Sequence, residues 1–288
     1  MAPEYYIFTG RDAVPRHVTH ILIDRSLKFI PVQAFYGHPS IQEVECHHGV
    51  EKIEREAFCK CSSLRRVIMQ GVKVVEKYAF DCCRALTSIE CDKLEIIEDG
   101  AFHMCAMRSV DLPSIKIVGN HTFESCKKLT SANFGEELQS IRGWAFKNCI
   151  SLERITIPLK DGLIGDDYTF LECRNLNRVD LIGGVHETIT ALLLEEWKND
   201  MNKEINAINQ NLLYADAGGR VIPNSSGQID PGGKARVIRT WIRSLLRKTA
   251  HYKAEHCRCL NVAAATLELV LPNDIVFKNV IPFLELPS

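Results

Sequence analysis

The stretch Ile53–Met69, "IEREAFCKCSSLRRVIM", returns in frame as "VEKYAFDCCRALTSIEC" over Val75–Cys91. This internal period constrains the fold more than any other property of the chain, because a unit this short must stack on copies of itself to bury an apolar face. The marker phenylalanines are Phe35, Phe58, Phe80, Phe102, Phe123, Phe146 and Phe170, separated by 23, 22, 22, 21, 23 and 24 residues.

The same positions around each marker keep the same character. Five residues earlier stand Ile30, Ile53, Val75, Ile97, Val118 and Ile141, with Ile164 six residues before the last marker. A small residue precedes each Phe, and three residues after it come Cys61, Cys83, Cys105, Cys126, Cys149 and Cys173, with His38 in the first unit. An apolar triplet follows, as in Leu64/Val67/Met69 or Leu152/Ile155/Ile157, and an eighth triplet, Val18/Ile21/Ile23, opens the array. The last two members of most triplets alternate with a polar residue, which is the pattern of a short strand with one buried face. The expected fold is an α/β-type repeat solenoid of about eight units with short parallel strands, the marker rings stacked along its interior.

These units resemble BspA-type leucine-rich repeats, whose pattern is close to I-x-x-x-A-F-x-x-C-x-x-L-x-x-I-x-L, over about residues 16–184. The resemblance implies a leucine-rich repeat fold and a role in protein interaction or adhesion rather than catalysis. The chain departs from the pattern at His38, at Ala132, at a one-residue deletion before Met107 and at an insertion over Lys160–Gly162. Each is expected to bend the coil locally without ending it.

The period stops after about residue 186, so the chain divides into a solenoid with its N-terminal cap, 1–186, and a helical hairpin with a tail, 187–288. Leu194, Trp197, Met201, Ile205, Ile208 and Leu212 form a helical stripe with Thr188 as candidate N-cap. "ADAGGRVIPNSSGQIDPGG" reads as a long connection. A second helix is expected from about Lys234 to Val270, its apolar face running from Ile238 and Trp241 to Leu260, Ala263, Leu267 and Val270. The stretch Val280–Leu286, "VIPFLEL", reads as a short strand or packed tail. Solenoids need a terminal cap, and the hairpin is the candidate for it.

Opposite that apolar face, Arg236, Arg239, Arg243, Arg247 and Arg258 line up as a basic stripe, expected to be solvated or to bind phosphate. Lys+Arg 35 against Asp+Glu 36 leaves no global field for nucleic acid, and no reading motif or interleaved aromatics accompany the stripe, so nucleic acid is an unlikely partner. No signal peptide is recognised in "MAPEYYIFTGRDAVPRH" and no apolar run spans a bilayer. Six of the twelve cysteines sit at one repeat position with no unique pairing, so they read as reduced apolar fillers and the compartment as cytoplasmic or nuclear. The doublets Cys59/Cys61 and Cys82/Cys83 fall short of a metal's ligand count, and His251, His256, Cys257 and Cys259 do not share one helix face. No metal and no cofactor is expected. Nucleotide, metalloprotease and nucleophile-elbow motifs are missing, and Asp166/Asp167 read as turn residues without a catalytic base. The chain therefore reads as a non-enzymatic interaction module or scaffold for a protein partner.

The positions between triplet residues should form one continuous exposed sheet face, and its candidate partner-binding residues are Glu43, Glu45, Arg65, Arg66, Ile68, Thr87, Glu90, Arg108, Asp111, Thr130, Asn133, Glu153, Arg154, Thr156, Asn177, Arg178 and Asp180. Two rival readings are a nucleic-acid-associated scaffold using the basic helix 234–258 and a secreted or cell-surface adhesin.

Overall fold

The computed structural model describes residues 4–10, 13–215 and 233–268. Longer strands form the front of a solenoid: β1 (Tyr5–Phe8), β2 (His20–Ile23), β4 (Glu43–Glu45), β6 (Arg66–Ile68), β8 (Ser88–Glu90), β10 (Ser109–Leu112), β12 (Ser131–Phe134), β14 (Arg154–Pro158) and β15 (Arg178–Ile182). Two-residue strands form the back: β3 (Phe29–Ile30), β5 (Lys52–Ile53), β7 (Val74–Val75), β9 (Ile96–Ile97), β11 (Ile117–Val118) and β13 (Ser140–Ile141). Every pairing is parallel, and Ile164 extends the back by a bridge to Ile141. The triplets supply β2 and its seven successors on the front, and the residue five before each marker supplies the back. The coil closes about seven turns.

Strand β1 was not foreseen. It pairs with β2, and Phe8 packs its ring 4.6 Å from that of Phe35, extending the aromatic column beyond the first marker. From Phe35 to Phe170 the marker rings stack with centroids 4.8 to 5.8 Å apart. Phe58, Phe80, Phe102, Phe123 and Phe146 are fully buried. Each turn around a marker holds residues in the left-handed region, for example Tyr78 and Cys82 about Phe80 and Trp144 and Asn148 about Phe146. Non-glycine residues tolerate that conformation at a cost; here each turn's amides bond the turn behind it, as in Phe80 N to Ala101 O at 2.8 Å, which holds the shape.

The front is not one sheet. It divides into β1-β2-β4-β6-β8 and β10-β12-β14-β15, whereas the back runs unbroken through β9 and β11. The division falls at the one-residue deletion before Met107, where Ala106 N bonds Leu86 O and no ladder joins β8 to β10. Ile89 in β8 is partly exposed, while its counterparts Val44, Val67 and Val110 are buried. The deletion therefore interrupts the front ladder, a stronger effect than a local bend.

Helices α1 (Val185–Thr190), α2 (Glu195–Ala215) and α3 (Gly233–Glu268) close the far end. Thr188 is buried inside α1 and caps nothing, and Leu194 is exposed ahead of α2. Ile208, Leu212, Ile238 and Leu245 are fully buried and continuous with the solenoid core. Along the α3 stripe Leu260 is buried, whereas Ala263 is exposed. The connection over 216–232, Val270 and the tail Val280–Leu286 lie outside the described residues. No described helix is long and apolar enough to cross a membrane.

Candidate functional site

The predicted partner-binding residues all lie on the front, split between its two sheets. Glu43, Glu45, Arg65, Arg66, Ile68, Thr87 and Glu90 belong to the first, and Arg108, Asp111, Thr130, Asn133, Glu153, Arg154, Thr156, Asn177, Arg178 and Asp180 to the second. None is buried.

Cross-turn pairing divides these residues into two kinds. Arg66 is held between Glu43 at 3.0 Å and Glu90 at 2.6 Å, spanning three strands. Arg154 and Arg178 share Asp180, at 2.5 and 3.0 Å, and Thr156 donates to Asn133 at 3.0 Å. Such residues neutralise one another on the sheet surface. By contrast Arg65, Thr87, Arg108, Thr130, Glu153 and Asn177 occupy one column, all exposed, and Arg65 and Arg108 have no ion pair among the described residues. The hydroxyls of Thr87 and Thr130 donate to the carbonyls of Arg65 and Arg108 at 3.2 and 2.9 Å, fixing their side chains along the column.

The basic stripe does not face open solvent as a unit. Arg236 and Arg239 both pair with Asp167, and Arg243 pairs with Asp161 at 3.3 Å, so this part of α3 is clamped to the loops of the last repeat. Asp167 is thus an anchor, while Asp166 accepts the Tyr168 amide at 2.7 Å in a turn. Arg258 pairs with Glu255 at 2.7 Å. The acids of α2 do not neutralise the stripe; Asp200 and Glu204 instead take Lys248, at 2.8 and 3.1 Å.

Lys234 is the element that sequence reasoning missed. It is buried, and its ammonium donates to the carbonyls of Cys173 at 2.7 Å, Arg174 at 3.0 Å and Leu176 at 2.7 Å. These carbonyls belong to the last turn; that of Cys173 also accepts the Leu176 amide at 3.1 Å, as its counterparts do in earlier turns. Asn209 Oδ1 likewise accepts the Val179 amide at 3.2 Å. A cleft of about 280 Å³ lies at this seam, lined mainly by Glu153, Arg174, Asn177, Leu212 and Lys234.

The ladder cysteines are more than fillers. Sγ of Cys61, Cys83, Cys105, Cys126, Cys149 and Cys173 donates to the marker Phe carbonyl of the preceding turn, at 2.9 to 3.3 Å. Burial pushes Cys61 and Cys126 up to about 12, so these thiols stay protonated donors. His38 does the same from the odd position, Nε2 reaching the Pro15 carbonyl at 3.1 Å. In α3, His256 is buried while His251, Cys257 and Cys259 are exposed, so these four do not converge.

Comparison with known proteins places these observations. A model of the BspA type leucine-rich repeat region matches residues 15–114 and 95–199, in six copies. Among solved structures, a leucine-rich repeat protein of T. pallidum is 22% identical over 62% of this chain and 70% of its own, with a TM-score of 0.38. One from Bacteroides ovatus is 18% identical over 58% of this chain and 61% of its own, TM-score 0.37. The pneumococcal vaccine antigen PcpA is 20% identical over 57% of this chain and 51% of its own, TM-score 0.40. No curated protein matches.

Proposed function

The chain belongs to the BspA-type leucine-rich repeat family, and from that membership we propose that it is a non-enzymatic protein-interaction module that binds a protein partner through the front of its solenoid. The observation that carries this reading is the column Arg65, Thr87, Arg108, Thr130, Glu153 and Asn177, exposed on a rigid backbone beside charges that are already paired. Arginines left unpaired on an ordered platform are the residue type that anchors protein interfaces. Arg66 serves a different end, since reversing it would set like charges against Glu43 and Glu90 across three strands.

The test is a pull-down with the full chain from nuclease-treated native lysate. Wild type is compared with an R65E/R108E variant and with a back-face control, K73E. Proteins retained by wild type and K73E but lost from R65E/R108E support the front column. The same proteins retained by all three remove it, and retention that disappears with nuclease moves the reading to nucleic acid. We place the protein in the cytoplasm or nucleus, on the support of twelve cysteines with no disulfide between them; a thiol count on protein isolated under alkylating conditions that finds cystines would instead favour an extracellular adhesin.

A further inference from the structure

Read turn by turn, the residue directly after the marker phenylalanine is Cys59, then Asp81, then His103. Ring stacking at 5.1 Å between Phe58 and Phe80 and between Phe80 and Phe102 holds this column at the spacing of adjacent turns. Cys82, next in the middle turn, adds a fourth side chain. One atom each from Asp81, Cys82 and His103 lies within 4.8 Å of the others, and Cys59, outside that group of three, touches it at Asp81. Asp81 is central, with Oδ1 2.7 Å from His103 Nδ1 and Oδ2 3.7 Å from Cys59 Sγ.

Neither cysteine belongs to the inward ladder. Cys61 and Cys83 fill those positions and bond the Phe35 and Phe58 carbonyls, so Cys59 and Cys82 are additional to what the coil requires. The backbone beneath them is fixed by turn-to-turn bonds, Lys60 N to Asp81 O at 2.7 Å and Cys82 N to His103 O at 2.9 Å. Elsewhere on this edge the neighbouring turns carry ordinary ion pairs, such as Lys147 with Glu124 at 3.0 Å. A carboxylate, a thiol and an imidazole gathered on one edge, with the Cys59 thiol beside the carboxylate to supply a fourth donor, match zinc, which takes S, N and O donors at about 2.0–2.3 Å in a tetrahedron. The imidazole and carboxylate beside the thiols favour zinc over a purely soft metal such as copper(I). Lys60 and Arg84 lie near enough to Cys82 to offset the negative charge that two thiolates and a carboxylate leave around a dication.

The placement suggests what such an ion would do. Asp81 and Cys82 lead into β8, and His103 leads into β10, the two strands between which the front ladder is interrupted. We propose that Cys59, Asp81, Cys82 and His103 form a zinc site that clamps three consecutive turns across the break in the front sheet. Zinc links the Cys82 thiolate and the His103 imidazole over the step that lacks front strand pairing, and binding releases the two thiol protons to solvent.

The experiment uses the full chain, stripped of metal under a non-chelating reductant and then loaded with zinc or cobalt(II). Equimolar uptake is expected, with the intense visible bands and thiolate charge transfer of tetrahedral cobalt. C82S and H103N should each weaken uptake by at least about tenfold, while C257S/C259S leaves it unchanged. Zinc should raise the melting temperature of wild type and not of H103N. Metal-free melts of C82S and H103N confirm that the variants fold, and either folded variant suffices for the test. No uptake by wild type, octahedral cobalt without sulfur charge transfer, undiminished binding in a folded variant, or loss of binding in C257S/C259S each overturns the site.

Discussion

At the scale of single residues the solenoid is held by columns, and each column makes a separate demand. Phe102 is fully buried between Phe80 at 5.1 Å and Phe123 at 5.8 Å. Phe102→Ala removes a ring from a column that cannot collapse around the gap, and should cost about 3–5 kcal/mol in chemical denaturation; a near-neutral change would take this ring out of the core. His38 makes a different prediction. Its Nδ1 faces the amides of Ser40 and Ile41 at 3.4 and 3.3 Å, so it accepts there and donates from Nε2 to Pro15. Burial, opposed by the Pro15 bond, holds its pKa below the ordinary histidine value. The unfolded chain therefore binds more protons near and below about pH 6.5, and the contribution of neutral His38 is full above that value and lost as pH falls through it. Melting at about pH 5.5 relative to about pH 7.5 should drop further for wild type than for His38→Cys, which restores the ladder thiol; equal drops would show that His38 is not the titrating group. The marker and triplet residues were readable from the sequence because their identity repeats in register. The donor role of the ladder thiols was not, since it depends on which carbonyl of the preceding turn faces each sulfur.

At the scale of elements, the helices are understood by what the last repeat leaves unsatisfied. Inside the array each turn's carbonyls accept from the turn before, as Ala145 O does from Phe123 N at 2.8 Å. The final turn has no successor to take up its front-strand amides, and the helices cover it instead: Asn209 of α2 accepts the Val179 amide, and Lys234 at the start of α3 donates to the carbonyls of Cys173, Arg174 and Leu176. Lys234→Met keeps the length of the side chain and removes the donors to the Arg174 and Leu176 carbonyls, at a cost of about 1–3 kcal/mol. Trp241 reports the outcome, because it is buried in the cap with Nε1 donating to Glu204 O at 2.9 Å. Tryptophan emission should shift to the red and the cap should become sensitive to protease in this variant; emission and cleavage like wild type would show that other contacts hold the cap. Both long helices could be read from the spacing of their apolar residues. That Arg236, Arg239 and Arg243 would be taken up by Asp161 and Asp167 could not, because a helical wheel describes one helix and not the loops set against it. Strand β1 was missed for a related reason: "YYIF" has the residues of a strand but lies outside the repeat frame that identified the others.

At the scale of the whole molecule, the array is one core with a divided surface. The deletion before Met107 was visible in the sequence as a count of residues, yet its consequence depends on whether a shortened turn still delivers its strand to the neighbouring ladder, which no single unit encodes. Continuity across the division rests on the back pairing of β7 with β9, the stacking of Phe80 on Phe102 and the Phe80 N to Ala101 O bond. The front adds only the Ala106 N to Leu86 O bond there, since β8 pairs with β6 alone. In a parallel sheet the amides of a strand alternate between its two neighbours, so a strand paired on one side leaves half of them without a ladder bond. Ser88 N bonds Arg65 O on the β6 side, which turns the Ile89 amide toward the division. Native-state hydrogen exchange should find Ile89 among the fast amides while Val67 and Ala132, each inside a ladder, exchange only with large-scale opening. Inserting one serine between Ala106 and Met107 restores the spacing of 22 found in the two preceding units; it should slow Ile89 toward the rate of Val67 and raise the melting temperature. If Ile89 is as protected as Val67 in the native chain, the front is a single sheet in solution. The column from Arg65 to Asn177 then meets a partner as one rigid surface rather than as two surfaces joined along their back.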